Sequence, residues 1–354
     1  MTKIRVLVVE DSLTVRARLV EVISSDPGFE VVGEAGDGKT AIELCERLRP
    51  DVITLDMMLP VMTGLAATEF IMAHFPTPIL VVSASFNRGE MFKTYDALAA
   101  GAVDVLEKPS GNEEPGVWER QFLSSLRVVA RVKVITHVRA RLGGWSHRPR
   151  PSESPRAPGA APKLLLIGVS TGGPSALVEI LRALPKDFPA PILIVLHLSA
   201  PFARAFGDWL EAQVGREVRY AKNGERLAQL RGVIRLAPAE QHLLVENERL
   251  VLSSAPERHS CRPSVDVLFE SVARGPAQET VACLLTGMGK DGATGLLALR
   301  QAGAVTIAQD ETTSVVYGMP REAALLGAAM HVWALPEIGS KLVALFQAGG
   351  AEGE

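Results

Sequence analysis

The sequence predicts an α/β protein of two domains, each built on a mostly parallel sheet that helices cover on both faces. Short apolar runs rich in Val, Ile and Leu alternate with helical patterns through most of the chain. A stretch rich in Pro, Gly, Ser and Ala interrupts this alternation near the middle. The 354 residues also exceed what a single hydrophobic core commonly holds, so we expect two cores.

Composition narrows the class of protein. A hydrophobic content of 47% with only 5% aromatic residues suits α/β packing of aliphatic side chains. The net charge of −3 provides no general attraction to nucleic acid. No apolar run reaches the length of a membrane span, and residues 1–3 lead into a predicted strand without the pattern of a signal peptide. We therefore expect a cytoplasmic protein that binds no nucleic acid and does not insert into a membrane.

The cysteines give no sign of a disulfide framework or a zinc knuckle. Cys45, Cys261 and Cys283 are scattered along the chain and lack C-x-x-C spacing. This usage is typical of a protein from a reducing compartment.

Acidic residues follow two predicted strands near the N-terminus. The strand at residues 4–9 leads into Glu10 and Asp11, and the strand at residues 51–55 leads into Asp56. Carboxylates gathered at the carboxyl edge of a parallel sheet repel one another unless a divalent cation joins them. The pattern favours an Mg²⁺ site and phosphoryl transfer onto Asp56, with ordinary acids at strand ends as the alternative.

Two further residues complete a known pattern. Ser83 follows the apolar strand at residues 78–82, and Lys108 precedes Pro109 after another strand. Together with the acidic residues, this arrangement across residues 1–125 resembles the response-regulator receiver domain, which has a flavodoxin-like (βα)5 fold.

The resemblance to receiver domains implies a role for each of these side chains. Glu10, Asp11 and Asp56 would hold Mg²⁺. Asp56 would take a phosphoryl group from a histidine kinase, and Ser83 and Lys108 would bind the phosphoryl oxygen atoms.

Residues 126–162, between the predicted domains, combine a helix extension with a linker. A helical pattern continues to about residue 142, and residues 126–150 carry seven Lys or Arg and no acidic residue. This basic segment is interpreted either as a solvated helix face that leads into the linker or as a docking surface for an acidic partner. The Pro-rich residues that follow cannot form a core, so they tether a second domain at residues 163–350.

The second domain repeats the alternation of strands and helices. Apolar runs predict strands at residues 164–168, 192–196, 281–285 and 304–308. An alternating stretch at residues 231–252 predicts an inserted β-hairpin. We therefore expect a doubly wound sheet whose functional side chains follow the carboxyl ends of the strands.

Ser170 lies in a glycine-rich turn directly after the first of these strands. Residues 168–172 match G-x-S-x-G, and Pro174 suits the first turn of a helix. Three interpretations of this motif remain open: a nucleophile elbow, a phosphate- or dinucleotide-binding loop, and a plain turn between strand and helix.

His197 is the predicted general base, which a serine nucleophile requires. It ends the strand that follows in the chain, so its side chain and Ser170 should share one edge of a parallel sheet. The sequence does not assign His242 or His259 to either edge.

A carboxylate should orient the base. Asp291 is favoured over Asp310 for this role, although Asp291 could instead cap the helix that follows it. Backbone N–H groups of residues 287–289 could meet a developing oxyanion.

Residues 163–347 resemble the catalytic domain of the chemotaxis protein-glutamate methylesterases. The resemblance rests on five stretches in the family's order, at residues 168–174, 197, 261–269, 286–293 and 308–323. Residues 198–199 and 239–240 depart from the family pattern near the expected substrate groove.

This resemblance implies a catalytic group of Ser170 as nucleophile, His197 as base, Asp291 as orienting acid, the Met288 N–H as oxyanion donor, and Thr171 beside them. It also implies hydrolysis of glutamate methyl esters and deamidation of glutamines on chemoreceptor helices, under control of receiver phosphorylation. It implies no cofactor for the hydrolysis itself.

Two other functions are weaker interpretations. A transcriptional regulator would need a basic recognition helix, and the βα pattern of the second domain offers none. A nucleotide-binding module would need the Gly-Lys-Ser/Thr ending of a P-loop, which residues 168–173 lack.

Overall fold

The computed structural model describes residues 2–84, 88–109, 114–132, 134 and 162–348. The chain divides into two compact units, residues 1–146 and residues 147–354. None of the described helices is long and apolar enough to cross a membrane.

The described part of the first unit contains a parallel sheet of five strands. These are β1 (Ile4–Val9), β2 (Phe29–Ala35), β3 (Val52–Leu55), β4 (Ile79–Ser83) and β5 (Asp104–Glu107). The strands are ordered β2-β1-β3-β4-β5, which is the order of flavodoxin-like folds. The predicted (βα)5 fold is therefore confirmed.

The described helices of this unit are α1 (Leu13–Ser25), α2 (Gly38–Leu48), α3 (Gly64–His74), α4 (Arg88–Ala99) and α5 (Val117–Val129). The first three begin where a polar side chain accepts hydrogen bonds from the otherwise unpaired N–H groups of the first turn. Ser12, Asp37 and Thr63 are these caps.

The helix α5 is shorter than predicted. It ends at Val129, whereas the helical pattern of the sequence continues to about residue 142. Its buried residues Trp118, Phe122, Leu126 and Val129 recur every three or four positions. Residues 130 and 131 form a turn, because helical propensity without further packing does not extend a helix. Residue 133 and residues 135–161, which hold most of the basic segment and the linker, lie outside the described residues.

The second unit is built on a sheet of seven parallel strands within the described residues. These are β6 (Leu164–Val169), β7 (Ile192–Leu196), β8 (Val218–Tyr220), β9 (Ile234–Leu236), β12 (Thr280–Leu284), β13 (Val305–Gln309) and β14 (His331–Trp333), with β10 (His242–Glu246) and β11 (Arg249–Ser253) forming a separate antiparallel hairpin. The order in the sheet is β14-β13-β12-β6-β7-β9-β8. The predicted parallel sheet with an inserted hairpin is confirmed.

Two details of that prediction need correction. The stretch at residues 231–252 is not all hairpin, because Ile234–Leu236 forms the parallel strand β9 of the main sheet. The strands β8 and β14 were also not predicted, and like β9 they have three residues each. Strands this short are too brief to show a distinct alternation of apolar and polar residues.

The described helices of the second unit are α6 (Gly173–Ala183), α7 (Ala200–Val214), α8 (Val265–Ala273), α9 (Ala293–Gln301), α10 (Met319–Leu325) and α11 (Leu335–Ala348). The hairpin lies against α8, where the Val245 N–H donates to Ser271 Oγ at 2.9 Å. At the other end of α8, the N-cap Ser264 donates its N–H to His242 Nδ1 of the hairpin at 3.1 Å.

The strand order reverses at the centre of this sheet. From β6 the chain continues to β7 on one side, and it later returns to β12 on the other side of β6. Loops that leave neighbouring strands in opposite directions open a crevice at their carboxyl ends, where α/β proteins bind ligands. A ligand site is therefore expected among the residues that follow β6, β7 and β12.

Candidate active site

Ser170 is the first residue after the fully buried strand β6. Its N–H donates to the Thr286 carbonyl at 3.0 Å, and its own carbonyl accepts from the Gly173 N–H at 2.7 Å. The chain then turns sharply into α6 through Gly172, whose φ of +79° lies in the left-handed region that glycine tolerates. The turn leaves Ser170 half-buried at the rim of the sheet.

His197 lies beside Ser170. Their preceding residues, Val169 and Leu196, are paired in the β6–β7 register. The His197 N–H donates to the Val169 carbonyl at 3.2 Å, so both side chains emerge at the same edge. Within the described residues no hydrogen bond joins Ser170 Oγ to the imidazole, and such bonds are often long before substrate binds.

Asp291, in the loop after β12, joins His197 to the start of α8. Its carboxylate accepts from His197 Nε2 at 2.9 Å and from Ser264 Oγ at 2.7 Å. It also accepts from the backbone N–H groups of Val265 at 2.7 Å and Asp266 at 3.1 Å. Four donors thus fix the orientation of a carboxylate that is only 2% exposed.

The two alternatives for this carboxylate are not supported. Asp291 does not cap the helix that follows it, because α9 begins after Gly292 with no side-chain cap. Asp310 is bound within its own loop, by hydrogen bonds from Thr312 and Thr313. Ser264 was not predicted as a site residue, because its only sequence signal is a Ser before an apolar helical run, which is typical of a helix cap.

The environment shifts the pKa values of this pair in opposite directions. Burial acts to raise the pKa of Asp291, but the hydrogen bonds from His197, Ser264 and Val265 outweigh it and keep the pKa below its usual value. Burial acts to lower the pKa of His197, but contacts with Asp291 and Cys261 outweigh it and raise the pKa to about 9. The pair is therefore most stable as carboxylate and imidazolium.

The contacts of His197 also assign its tautomer. An ionised Asp291 can only accept hydrogen bonds, so the bonded Nε2 atom carries a proton. When the imidazole is neutral, Nδ1 is therefore the basic nitrogen. Nδ1 faces the Cys261 Sγ atom at 3.8 Å, a neighbour that was not predicted as a site residue.

The loop after β12 approaches Ser170 closely at Gly287. A Cβ atom built there would lie 2.8 Å from Ser170 Cβ and 2.4 Å from Met319 Sδ, so only glycine fits without movement. Among the described residues no backbone acceptor takes the Met288 N–H, which leaves this donor for a ligand. The Thr171 carbonyl accepts from Thr286 Oγ1 at 2.9 Å and ties the serine turn to the same loop.

The other two histidines considered from the sequence have structural contacts. His242 is fully buried, accepts from the Ser264 N–H through Nδ1 at 3.1 Å and donates from Nε2 to the Pro256 carbonyl at 3.1 Å. His259 Nε2 lies 3.1 Å from an Asp266 carboxylate oxygen. His242 therefore supports Ser264 at the N-terminus of α8.

A small apolar pocket adjoins His197. Both departures from the family pattern contribute to it, through Leu198 and Ala239. The remaining lining residues are Leu196, Ala203, Phe206, Tyr220, Leu236, Ala237 and Pro263.

In the first unit, three carboxylates gather at the carboxyl edge of the sheet. Glu10, Asp11 and Asp56 each offer a ligand atom within 4.8 Å of the others. Lys108 Nζ lies 2.8 Å from Glu10 Oε2 and 2.9 Å from Asp56 Oδ2. Burial, together with the Asp56 charge, raises the pKa of Glu10 above its usual value despite this ammonium.

The donor set of this cluster fits Mg²⁺, which prefers oxygen ligands. Burial acts to lower the pKa of Lys108, but Glu10 and Asp56 outweigh it and raise the pKa. Ser83 is fully buried at the end of β4, and its carbonyl accepts from the Lys108 N–H at 3.1 Å. The structure thus brings all five predicted residues of the first unit to one edge of its sheet.

Comparisons with known proteins agree with this architecture. Residues 6–114 match the family described as the response regulator receiver domain, and residues 165–342 match the family described as CheB methylesterase. The second unit is also similar to the crystal structure of the Thermotoga maritima CheB methylesterase catalytic domain, with 35% identity and a TM-score of 0.50. That similarity covers 52% of this chain and 100% of the solved one.

Curated relatives match the chain over almost its whole length. A protein-glutamate methylesterase/protein-glutamine glutaminase of Geobacter metallireducens is 42% identical over 97% of this chain and 99% of its own. The Nitrosospira multiformis protein of the same name is 42% identical over 97% of each chain.

Proposed function

The chain belongs to the family of two-domain protein-glutamate methylesterases/protein-glutamine glutaminases, and from that premise we propose that it hydrolyses glutamate methyl esters on chemoreceptors. The observation that carries this proposal is the hydrogen bond between His197 and Asp291 beside Ser170, at the reversal of strand order. In the same site a glutamine side chain is deamidated.

Ser170 is the nucleophile in this proposal. Its Oγ attacks the carbonyl carbon of the ester while neutral His197 takes the hydroxyl proton on Nδ1. Asp291 holds the ring by Nε2 and stabilises the imidazolium that forms. The imidazolium then gives its proton to the departing methoxide, so methanol leaves and an acyl-enzyme remains.

The second half of the reaction uses the same groups. Water gives a proton to His197 and attacks the acyl carbon, after which Ser170 recovers its proton as the glutamate is released. In this proposal the Met288 N–H, which no backbone acceptor takes among the described residues, donates to the tetrahedral oxyanion, and Thr171 holds the serine turn through its carbonyl. For a glutamine substrate, ammonia leaves in place of methanol.

The receiver domain controls this activity through phosphorylation of Asp56. A histidine kinase is the phosphodonor, and Ser83 and Lys108 bind the phosphoryl oxygens. Glu10, Asp11 and Asp56 would hold Mg²⁺, which offsets the negative charge of the transferred group. Residues 1–125 form the receiver, residues 126–162 the helix extension and linker, and residues 163–350 the catalytic domain. We place the protein in the cytoplasm, where chemoreceptor helices are accessible.

The direct test is Ser170→Ala in the full-length protein. Methanol release from a methylated receptor fragment should fall about 10⁴-fold or more, because the nucleophile is absent. A serine-directed phosphonate should label Ser170 in the wild-type protein and fail to label the variant. Retained turnover would remove Ser170 from the mechanism.

The matched control is Ser175→Ala, five residues after Ser170 in the first turn of α6. Ser175 Oγ bonds only to the Gly172 carbonyl, at 3.0 Å, among the contacts that the described residues show. Its loss should leave turnover within about twofold, since surface and cap substitutions outside the site rarely change chemistry.

Control by phosphorylation is tested with Asp56→Asn. The ratio of turnover with and without a small phosphodonor should fall to one. Asp51→Asn is the control, because Asp51 bonds to the Arg5 N–H at the opposite end of β3. Stimulation that survives in Asp56→Asn would contradict the assignment of the phosphorylated residue.

A further inference from the structure

The catalytic histidine has a thiol neighbour that the hydrolysis does not use. Cys261 Sγ lies 3.8 Å from His197 Nδ1, the ring nitrogen opposite Asp291. A tetrahedral Zn²⁺ with typical bond lengths of about 2.3 Å to sulfur and about 2.0 Å to nitrogen holds these two atoms about 3.6 Å apart. The observed separation therefore matches a metal-binding pair almost without movement.

The support around this pair also fits a metal site. Histidine ligands of zinc usually donate their other N–H to a carboxylate, which fixes the ring and increases its basicity. Asp291 provides that carboxylate at 2.9 Å from Nε2, and it is itself held by the N-terminus of α8. A carboxylate oxygen of Asp291 also lies within 4.8 Å of the ligand atoms of His197 and Cys261. Because Asp291 is hydrogen-bonded to His197 Nε2, we assign it to orienting the ring and not to binding the metal.

Cys261 is held in a rigid turn. Arg258 and Cys261 exchange two backbone hydrogen bonds of 3.1 Å and 2.9 Å. The Arg258 guanidinium is anchored to Glu270 by two hydrogen bonds of 2.6 Å. Cys261 is also partly exposed, whereas Cys45 and Cys283 are buried. A dissolved cation can therefore reach Cys261 but not the other two thiols.

From this geometry we propose that His197 and Cys261 bind Zn²⁺ or a similarly soft divalent cation, and that the bound cation inhibits the hydrolase. The sulfur and nitrogen donors select such an ion over Mg²⁺, which prefers oxygen. Water can complete the coordination. The cation occupies the lone pair of Nδ1 that must accept the serine proton, so metal binding and catalysis exclude each other.

Binding is measured without reference to activity. Full-length protein is titrated with Co²⁺ in the presence of excess Mg²⁺, which occupies the carboxylates of the first unit. Coordination of Co²⁺ by the thiolate should give a ligand-to-metal charge-transfer band in the near ultraviolet. Zn²⁺ should displace the Co²⁺ and abolish the band. Competition with a chromophoric chelator then gives the Zn²⁺ affinity.

Cys261→Ser is the decisive variant. It should lose the absorption band and weaken Zn²⁺ binding at least about tenfold, whereas Ser170→Ala and Cys45→Ala should keep the band. A wild-type protein without the band, or a Cys261→Ser protein that retains it, would overturn the site. Loss of the band in Cys45→Ala would place the metal in the first unit and would also overturn the proposed site.

Inhibition is the second measurement, and this part rests on the proposed function. Zn²⁺ should suppress methanol release by the wild-type protein, a chelator should restore it, and Cys261→Ser should need at least about tenfold more Zn²⁺ for the same suppression. If the band forms but Zn²⁺ leaves turnover unchanged, the inhibitory role is wrong. If metal-free protein releases no methanol, the proposed function fails while the spectra still decide the metal site.

Discussion

Asp291 accepts a hydrogen bond from the Nε2 atom of His197 at 2.9 Å, across 94 residues of sequence. This single contact decides which nitrogen of the imidazole is the base. The carboxylate is held by Ser264 and by the N-terminus of α8, so the ring orientation depends on an element that contributes no reacting atom.

Asp291→Asn should lower kcat by about 10⁴-fold, because an amide neither stabilises the imidazolium nor fixes its tautomer. The amide nitrogen would also face N–H donors at the start of α8, which should cost about 1–3 kcal/mol in the free energy of unfolding. Methanol release and urea unfolding measure the two effects. Asp310→Asn is the control and should leave kcat unchanged, because in the described part of the chain that carboxylate accepts from Thr312 and Thr313 of its own loop. Equal losses in both variants would show a general effect of charge.

Ser264→Ala should weaken both the site and the fold. The Ser264 hydroxyl donates to Asp291 at 2.7 Å and also caps α8 by accepting from the Val267 N–H. Loss of the cap should lower the free energy of unfolding by about 1 kcal/mol. Loss of the donor should raise the pKa of Asp291 and reduce kcat with little change in KM.

Ser264→Thr restores the hydroxyl and should recover kcat. Ser271→Ala is the structural control, because Ser271 lies in α8 but outside the site, and its hydroxyl accepts from the Val245 N–H of β10. It should lower stability and leave kcat intact. A kcat loss in Ser271→Ala as large as that in Ser264→Ala would reduce the role of Ser264 to general stability.

The pH dependence of kcat/KM should report His197. Its pKa is raised to about 9, so below that pH the imidazolium predominates and cannot accept the serine proton. The rate should therefore rise about tenfold per pH unit below about pH 9 and level off above it. Because Cys261 contributes to the raised pKa, Cys261→Ser should move this limb to lower pH. A profile that is flat from neutral pH upward would contradict the assignment.

The same group predicts how stability depends on pH. The folded-state pKa of His197 lies above the unfolded value of about 6.5, so the folded state binds the proton more tightly. The stabilisation by its pair with Asp291 is complete below about pH 6.5 and disappears as the pH rises through about 9. Urea unfolding at several pH values should show this loss in the wild-type protein and not in His197→Gln.

Gly287→Ala should disable the site with little change in the remaining fold. The added methyl group would meet Ser170 Cβ at 2.8 Å and Met319 Sδ at 2.4 Å, so it should displace the serine turn. Turnover should fall about 100-fold, the size of effect expected when a reacting group moves by about 1 Å. Gly289→Ala is the control for the steric clash, because no atom lies within 4 Å of its Cβ position. Its positive φ makes this substitution a source of backbone strain only. Full turnover in Gly287→Ala would show that the loop adjusts.

Glu10→Gln should separate metal binding from folding in the receiver. Burial and the Asp56 charge raise the pKa of Glu10, so ionised Glu10 opposes folding in the absence of a cation. The variant should therefore be at least as stable as wild type without Mg²⁺, yet need at least about tenfold more Mg²⁺ for phosphorylation of Asp56. Glu34→Gln is the control, because that side chain pairs with Arg16 and is half-exposed. Unchanged Mg²⁺ dependence in Glu10→Gln would remove Glu10 from the metal site.

The sequence was informative where function follows the ends of long buried strands. Ser170, His197 and Asp56 each come directly after an apolar run, and parallel strands place such residues at one edge. The three-residue strands and the end of α5 were missed or misplaced because short segments carry little periodicity and because packing decides where a helix stops.

The sequence by itself determined the two α/β domains, the acids that follow β1 and β3, and the order of the motifs along the chain, because strand and turn signals are local. Only the tertiary structure decided that Asp291 binds Nε2 of His197, that Ser264 and the N-terminus of α8 hold that carboxylate, and that Cys261 approaches Nδ1 from 64 residues away. The physical reason is that these contacts depend on which strands become neighbours and how α8 packs beside them. That choice is made by burial of the whole core and is not encoded in any single stretch of residues.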